Sequence, residues 1–344
     1  MVRRICKSVA LLAVVGALGV SGCTGDAPSL PGREPRVKII ETSAMHLDRI
    51  YPSMTGPGDR VLVDTSDVAW ITAFRTDVID TVTEESMGGE FLCHSQLQIP
   101  SGVRLMVTAT GYSEVRLPEG FGIPLTQILS GSRPASRGVG LYGMLLNNHE
   151  ADIDRHGKVR ATLEYFTDDD VGSPPFLKKL YIASRSVNVE DLEAYTPQEG
   201  YEINEDVTTH CVLVEGRTNH WIVPPGRQVT RTRYTGLVPV DAMVHYVAVH
   251  LHNHGVYVQL TDVTAGQVLW QANVVYEKHR RQIAKIPVYS DSEGFPIYID
   301  HEYEVEALYD NTTDHDVDAM AMLYLYYHPN GEENIIYPTE LPPG

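Results

Sequence analysis

The chain has 344 residues, 43% of them hydrophobic, and a formal net charge of -18. That length exceeds one small domain and supplies enough apolar side chains for two cores of ordinary size. The acidic balance, with a sequence pI near 5.1, argues against nucleic acid as a partner, because its phosphates would be repelled.

Residues 1–22 have the form of an export signal. Arg3, Arg4 and Lys7 precede a short apolar run over residues 9–20, too short for a comfortable membrane span. The run ends in VSGC, residues 20–23, which resembles a bacterial lipobox. Cleavage before Cys23 leaves that thiol to carry a lipid anchor. The expected location is therefore the extracytoplasmic side of a bacterial cell envelope, with the membrane as a partner through the anchor. Residues 23–40 then form the lipidated cysteine and a tether rich in Gly and Pro.

Past the tether, period-two alternation dominates. RVLVDT, VRLMVTAT, KVRATLEYF, VHYVAVHLH, VYVQLTDV, QVLWQANVVY, YEVEALYD and MLYLYYH all have strand character, with Gly, Pro, Asn and Asp between them. A long amphipathic helix is absent from the pattern. The expected fold class is all-β, with two antiparallel β-sandwich domains of jelly-roll type. A cluster of turn formers and acidic residues near 195–205 sets the boundary. The expected domains are residues 41–200 and 201–335, followed by a tail over 336–344.

Two cysteines remain after export, Cys93 in LCHS and Cys211 in THCV. In an oxidising compartment such a pair forms a disulfide, and that is the favoured reading. Each cysteine also adjoins a histidine, so a thiolate metal ligand is the alternative. No nucleophile elbow, P-loop, dinucleotide fingerprint or HExxH motif occurs.

The candidate chemistry lies in VAVHLHNHG, residues 247–255. Residues two apart in a strand share a face, so His250 and His252 project together, while Val247, Val249 and Leu251 suit a core on the other. Two imidazoles at that spacing can chelate one ion, and neutral imidazole suits copper and zinc. His254 has the same parity but falls in a turn-like NHG. Near the C-terminus, Met320 and Met322 alternate at the start of a strand. A thioether is a soft ligand that selects Cu(I), although both methionines equally suit a sandwich core.

VPPG (residues 223–226), VHYVAVHLHNHG, YDNTT and DAMAMLYLYYH follow one another in this order. The set resembles the C-terminal domain of the copper type II, ascorbate-dependent monooxygenases, a family that includes peptidylglycine α-hydroxylating monooxygenase and dopamine β-monooxygenase. The resemblance covers roughly residues 215–330. It implies one copper ion on His250, His252 and Met320, with Asp318 and Leu323-Tyr324 at the family's offsets from the methionine. It also implies ascorbate as reductant and hydroxylation of a small-molecule substrate. The family's N-terminal copper site is matched poorly. LCHS offers only His94 (beside Cys93) where two adjacent histidines would stand, and His149 precedes the strand in which the third would lie. The expected function is thus a copper-binding lipoprotein resembling these monooxygenases. A copper-handling lipoprotein without catalysis and a structural β-sandwich lipoprotein are the alternatives.

Overall fold

The computed structural model describes residues 33–51, 56–99, 102–130, 138–148, 151–173, 175–189, 212–213, 217–277, 282–331 and 335. Cys23, His149, Cys211 and the 195–205 boundary lie outside them. The first half contributes β1 (Arg36–Glu41), β2 (Met45–Leu47), β3 (Gly58–Val63), β4 (Trp70–Asp80), β5 (Leu92–Gln98), β6 (Arg104–Ala109), β7 (Glu114–Arg116), β8 (Phe121–Pro124), β9 (Val139–Leu145), β10 (Arg155–Phe166), β11 (Lys178–Lys179) and β12 (Tyr181–Ser186). The second half contributes β13 (Val212–Leu213), β14 (Arg217–Thr218), β15 (His220–Val223), β16 (Gly226–Thr235), β17 (Ala242–Leu251), β18 (Gly255–Asp262), β19 (Gln267–Asn273), β20 (Val275–Tyr276), β21 (Ile283–Lys285), β22 (Tyr289–Ile297), β23 (Glu302–Asn311) and β24 (Val317–Pro329). The helices are short, α1 (Leu125–Ser130) and α2 (Asp168–Val171). None among the described residues is long and apolar enough to cross a membrane. The fold is all-β, as the alternation in the sequence implies.

Among the described residues, four sheets of four or more strands carry the structure, beside the two-stranded pairs β13-β14 and β20-β21. In the first half, a seven-stranded sheet runs β1-β10-β4-β8-β11, with β2 on β10 and β7 on β4, and a four-stranded sheet runs β3-β9-β5-β6. In the second half, a five-stranded sheet runs β12-β24-β17-β22 with β15 on β24, and a four-stranded sheet runs β16-β23-β18-β19. β12 lies by position in the first half, yet it pairs antiparallel with β24, Tyr181 opposite Tyr327 through Ser186 opposite Met322. The chain from Pro35 onward packs as one compact unit.

The central strands of the five-stranded sheet, β17 and β24, are buried on both faces. Val247, Val249 and Leu251 of β17, with Ala319, Ala321, Leu323 and Leu325 of β24, share a core with Val258, Leu260, Val305 and Ala307 of the four-stranded partner sheet. The opposite parity, Tyr246, Ala248, Met320, Met322, Tyr324 and Tyr326, belongs to a core built from first-half strands, including Ile71, Phe74, Leu97, Leu141 and Leu163. This explains why β24 is an almost unbroken apolar run, as strands covered on both sides are. The outer edge behaves differently. β16 is exposed or half-buried throughout, and Arg227, Arg231 and Arg233 pair with Asp310, Glu306 and Glu304 of β23. Charge on an edge strand discourages pairing with another chain.

Candidate metal centre

The paired strands β17 and β24 bring the sequence candidates together. Leu251 lies opposite Ala321 and His250 opposite Met322. One step further, the His252 amide donates to the Met320 carbonyl at 3.4 Å. On the other side of β24, β15 sets His220 opposite Met320. A row therefore crosses three strands, His220–Met320–His252, with His250 two residues before His252 and opposite Met322.

Asp318 ties this row together. It precedes Met320 by two residues and so shares its face. Its Oδ2 lies 2.8 Å from Nδ1 of His252, and its Oδ1 lies 3.2 Å from Nδ1 of His220. One carboxylate thus takes the Nδ1–H of both rings and fixes their tautomer, which directs Nε2 of each ring away from the carboxylate as the donor atom. Imidazoles that ligate metals commonly donate their other ring N–H to a carboxylate in this way.

The centre is closed. His220 is 1% exposed, His250 and His252 are 4% each, and Met320 is 5%. The ring of His252 lies 5.2 Å from those of both His220 and His250. His250 is the odd member, because both of its ring nitrogens are buried without a hydrogen-bond partner. A buried polar group left in that state costs about 1–3 kcal/mol, so its presence needs a reason. A cation is one, since the fit required of a soft or borderline metal is a set of neutral, buried nitrogen and sulfur donors.

Backbone support is local. The Tyr309 hydroxyl donates to the Met320 carbonyl at 2.6 Å and accepts from the amides of His252 and Met320, each at 3.2 Å. It pins β17 to β24 at the two candidate ligands. Met322 has other company. Its sulfur receives Arg104 Nη1 and Asn219 Nδ2 at 3.7 Å and the Tyr324 hydroxyl at 3.6 Å. Of the two methionines, Met320 is the one whose strand register falls between His220 and His252.

The remaining candidates divide. His94, on β5, lies 5.5 Å ring to ring from His250, and the donor atoms of Cys93, His94 and His250 fall within 4.8 Å of one another. Cys93 is buried, with its Sγ 3.3 Å from His94 Nδ1. His254 sits in the turn between β17 and β18 with φ 72°, and its electrostatic neighbours are His315 and Asp310 rather than the centre. The sequence reading missed His220 as a member and gave Asp318 no role beyond an offset. The available signal was that His220 lies three residues before Val223 of VPPG, at the start of a short strand of its own.

Electrostatics favour neutral rings and an anionic carboxylate. Burial pushes the His250 imidazolium well below its ordinary range, and His252, His94, His220 and Arg104 add to it. Burial also lowers His252, against the pull of Asp318. Burial alone would raise the Asp318 carboxyl, but His220 and His252 outweigh it and hold it well below the usual carboxylate range. The sign follows for the metal-free protein. The unfolded chain protonates these imidazoles near pH 6.5 while the folded chain does not, so stability is full above about 6.5 and falls as pH drops below it. Each ring contributes a slope of up to about 1.4 kcal/mol per pH unit. Denaturant unfolding from pH 7 to 5 checks this. A flat profile would count against buried neutral histidines.

No protein-family model matches the chain, and no curated protein matches it. Among solved structures, the major capsid protein P2 from bacteriophage PM2 is similar at 8% identity and a TM-score of 0.34, covering 86% of this chain and 100% of that one. The STIV MCP is similar at 10% identity and a TM-score of 0.38, with 85% and 97% covered. PNGase F, a glycosylasparaginase from Flavobacterium meningosepticum, is similar at 11% identity and a TM-score of 0.37, with 86% and 97% covered. Likeness at this level says nothing about chemistry.

Proposed function

We propose that this chain holds one copper ion at His250, His252 and Met320, with His220 as a further donor, in a lipoprotein anchored through Cys23 on the extracytoplasmic side of a bacterial envelope. The observation that carries the reading is His250, a fully buried imidazole with two unbonded ring nitrogens, beside two histidines backed by one carboxylate. The mixture of imidazole and thioether favours copper over harder cations, and the thioether favours Cu(I). Bound copper would supply one-electron redox chemistry or oxygen activation. The protein's own part is to exclude water, fix the rings through Asp318 and keep the donors neutral.

Burial of every donor supports a held ion, because catalytic sites keep a coordination position open to substrate. The second reading is hydroxylation of a small molecule with ascorbate as reductant, favoured by the ordered resemblance of residues 215–330 to copper monooxygenases. Oxygen uptake by the copper-loaded protein with ascorbate separates the two. The proposed pairing of Cys93 with Cys211 belongs to the same envelope setting.

Met320→Leu tests copper as the ion. The substitution nearly conserves volume and removes only the sulfur. Cu(I) affinity should fall by about tenfold or more while Cu(II) affinity changes much less, because only the softer ion gains strongly from a thioether. Equal losses for both ions in competition titrations would remove Met320 from the ligand set.

A further inference from the structure

Three further donors meet on the surface, away from the residues discussed so far. β2 pairs antiparallel with β10, placing His46 directly opposite His156, with Leu47 opposite Arg155 and Met45 opposite Gly157. Alternation turns Met45 and Leu47 inward, where they join a core with Val78, Phe91, Leu145, Ile153 and Val159. The same alternation turns His46 outward. The two imidazoles stack with centroids 4.3 Å apart and planes 9° from parallel. Asp154 precedes His156 by two residues, and its Oδ1 lies 2.8 Å from His46 Nε2. All three side chains are exposed, and their donor atoms fall within 4.8 Å of one another.

We propose that His46, His156 and Asp154 form a second, solvent-open site for a borderline divalent cation such as zinc. The donors suit it, since two imidazoles and one carboxylate are ligands that zinc accepts at about 2.0–2.2 Å. The base is rigid, since β2 is riveted to β10 by buried neighbours on both sides of His46. Three protein ligands leave at least one position for water, so the ion exchanges freely, unlike one enclosed at His250. The proposal does not rest on copper binding at the buried centre.

The test is calorimetric titration of the full chain with zinc chloride. His46→Ala and His156→Ala should each weaken the zinc affinity of this site by about tenfold or more, given that loss of even an outer partner of a metal ligand typically costs 10- to 100-fold. Asp154→Asn should cost less than either histidine. His315→Ala, which removes another exposed histidine beside a carboxylate, should leave the isotherm unchanged. These exposed substitutions leave the core intact and shift stability little. Repeating the titration in His252→Ala keeps the buried centre out of the signal. An isotherm of the His46→Ala, His156→Ala double variant that superimposes on the wild type would overturn the proposal. An equal loss on His315→Ala would do the same, because it would mark nonspecific histidine binding.

Discussion

Replacing His250 with leucine should make the metal-free protein more stable while abolishing its copper binding. Most substitutions in a buried strand destabilise, so the expected sign is unusual. It follows from the two ring nitrogens of His250, which are buried and unbonded. Leaving such groups unsatisfied costs about 1–3 kcal/mol, a penalty that an apolar side chain of similar size does not carry. Leucine would contact Tyr246, Ala248 and Met322, which pack in an apolar core on the same face, as well as the rings of His94 and His252. The gain should appear as a rise of a few degrees in Tm without metal, on the scale of about 2–4 °C per kcal/mol for a large domain. With copper present the order should invert. A ligand at 100 times its Kd stabilises the wild type by about 2.7 kcal/mol, and the leucine variant cannot use it. A metal-free leucine variant less stable than wild type by more than about 1 kcal/mol would show that His250 has partners of its own and no need of an ion.

The second large effect is expected at Asp318. Its two oxygens serve two rings, His252 at 2.8 Å and His220 at 3.2 Å. Asparagine keeps the shape but offers one acceptor and one donor group, so one imidazole loses its acceptor and faces an N–H instead. That ring must flip or turn, and its Nε2 is no longer held pointing away from residue 318. The lost negative charge also removes the group best placed to offset a cation in a buried site. Copper affinity should fall by about 10- to 100-fold in Asp318→Asn, the range found when an outer carboxylate is removed from a histidine ligand. His220→Gln should weaken copper in the same assay, because His220 shares both the carboxylate and the row with Met320. Unchanged affinity in Asp318→Asn would mean that the histidine–carboxylate contacts are structural only.

The parts of this site that were legible from sequence are those set by parity along one strand. His250 and His252 share a face because residues two apart in extended chain do, and Val247, Val249 and Leu251 marked the opposite face as core, but the alternation did not show that the histidine face is buried too. Met320 was singled out only by the resemblance of residues 215–330 to the copper monooxygenases, since alternation alone suits it equally to the core. The rest depends on pairings between strands distant in sequence, which one strand's pattern does not encode. His220 and Met320 meet only because β15 and β24 pair antiparallel across a hundred residues of chain. The histidine face is buried because first-half strands cover it, bringing His94 to within 5.5 Å of the His250 ring. β12 joins the second-half sheet by the same kind of long-range pairing. The His46–His156 pair is a further case, invisible until β2 is placed on β10.

The most direct test is the metal content of the full chain purified from copper-supplied cells, alongside His252→Ala. The wild type should carry about one copper per chain and the variant less than about a tenth, since a preformed buried site retains its ion through purification while an incomplete one does not. Less than about a tenth of an equivalent in the wild type, or equal copper in both proteins, would contradict a copper centre at these residues.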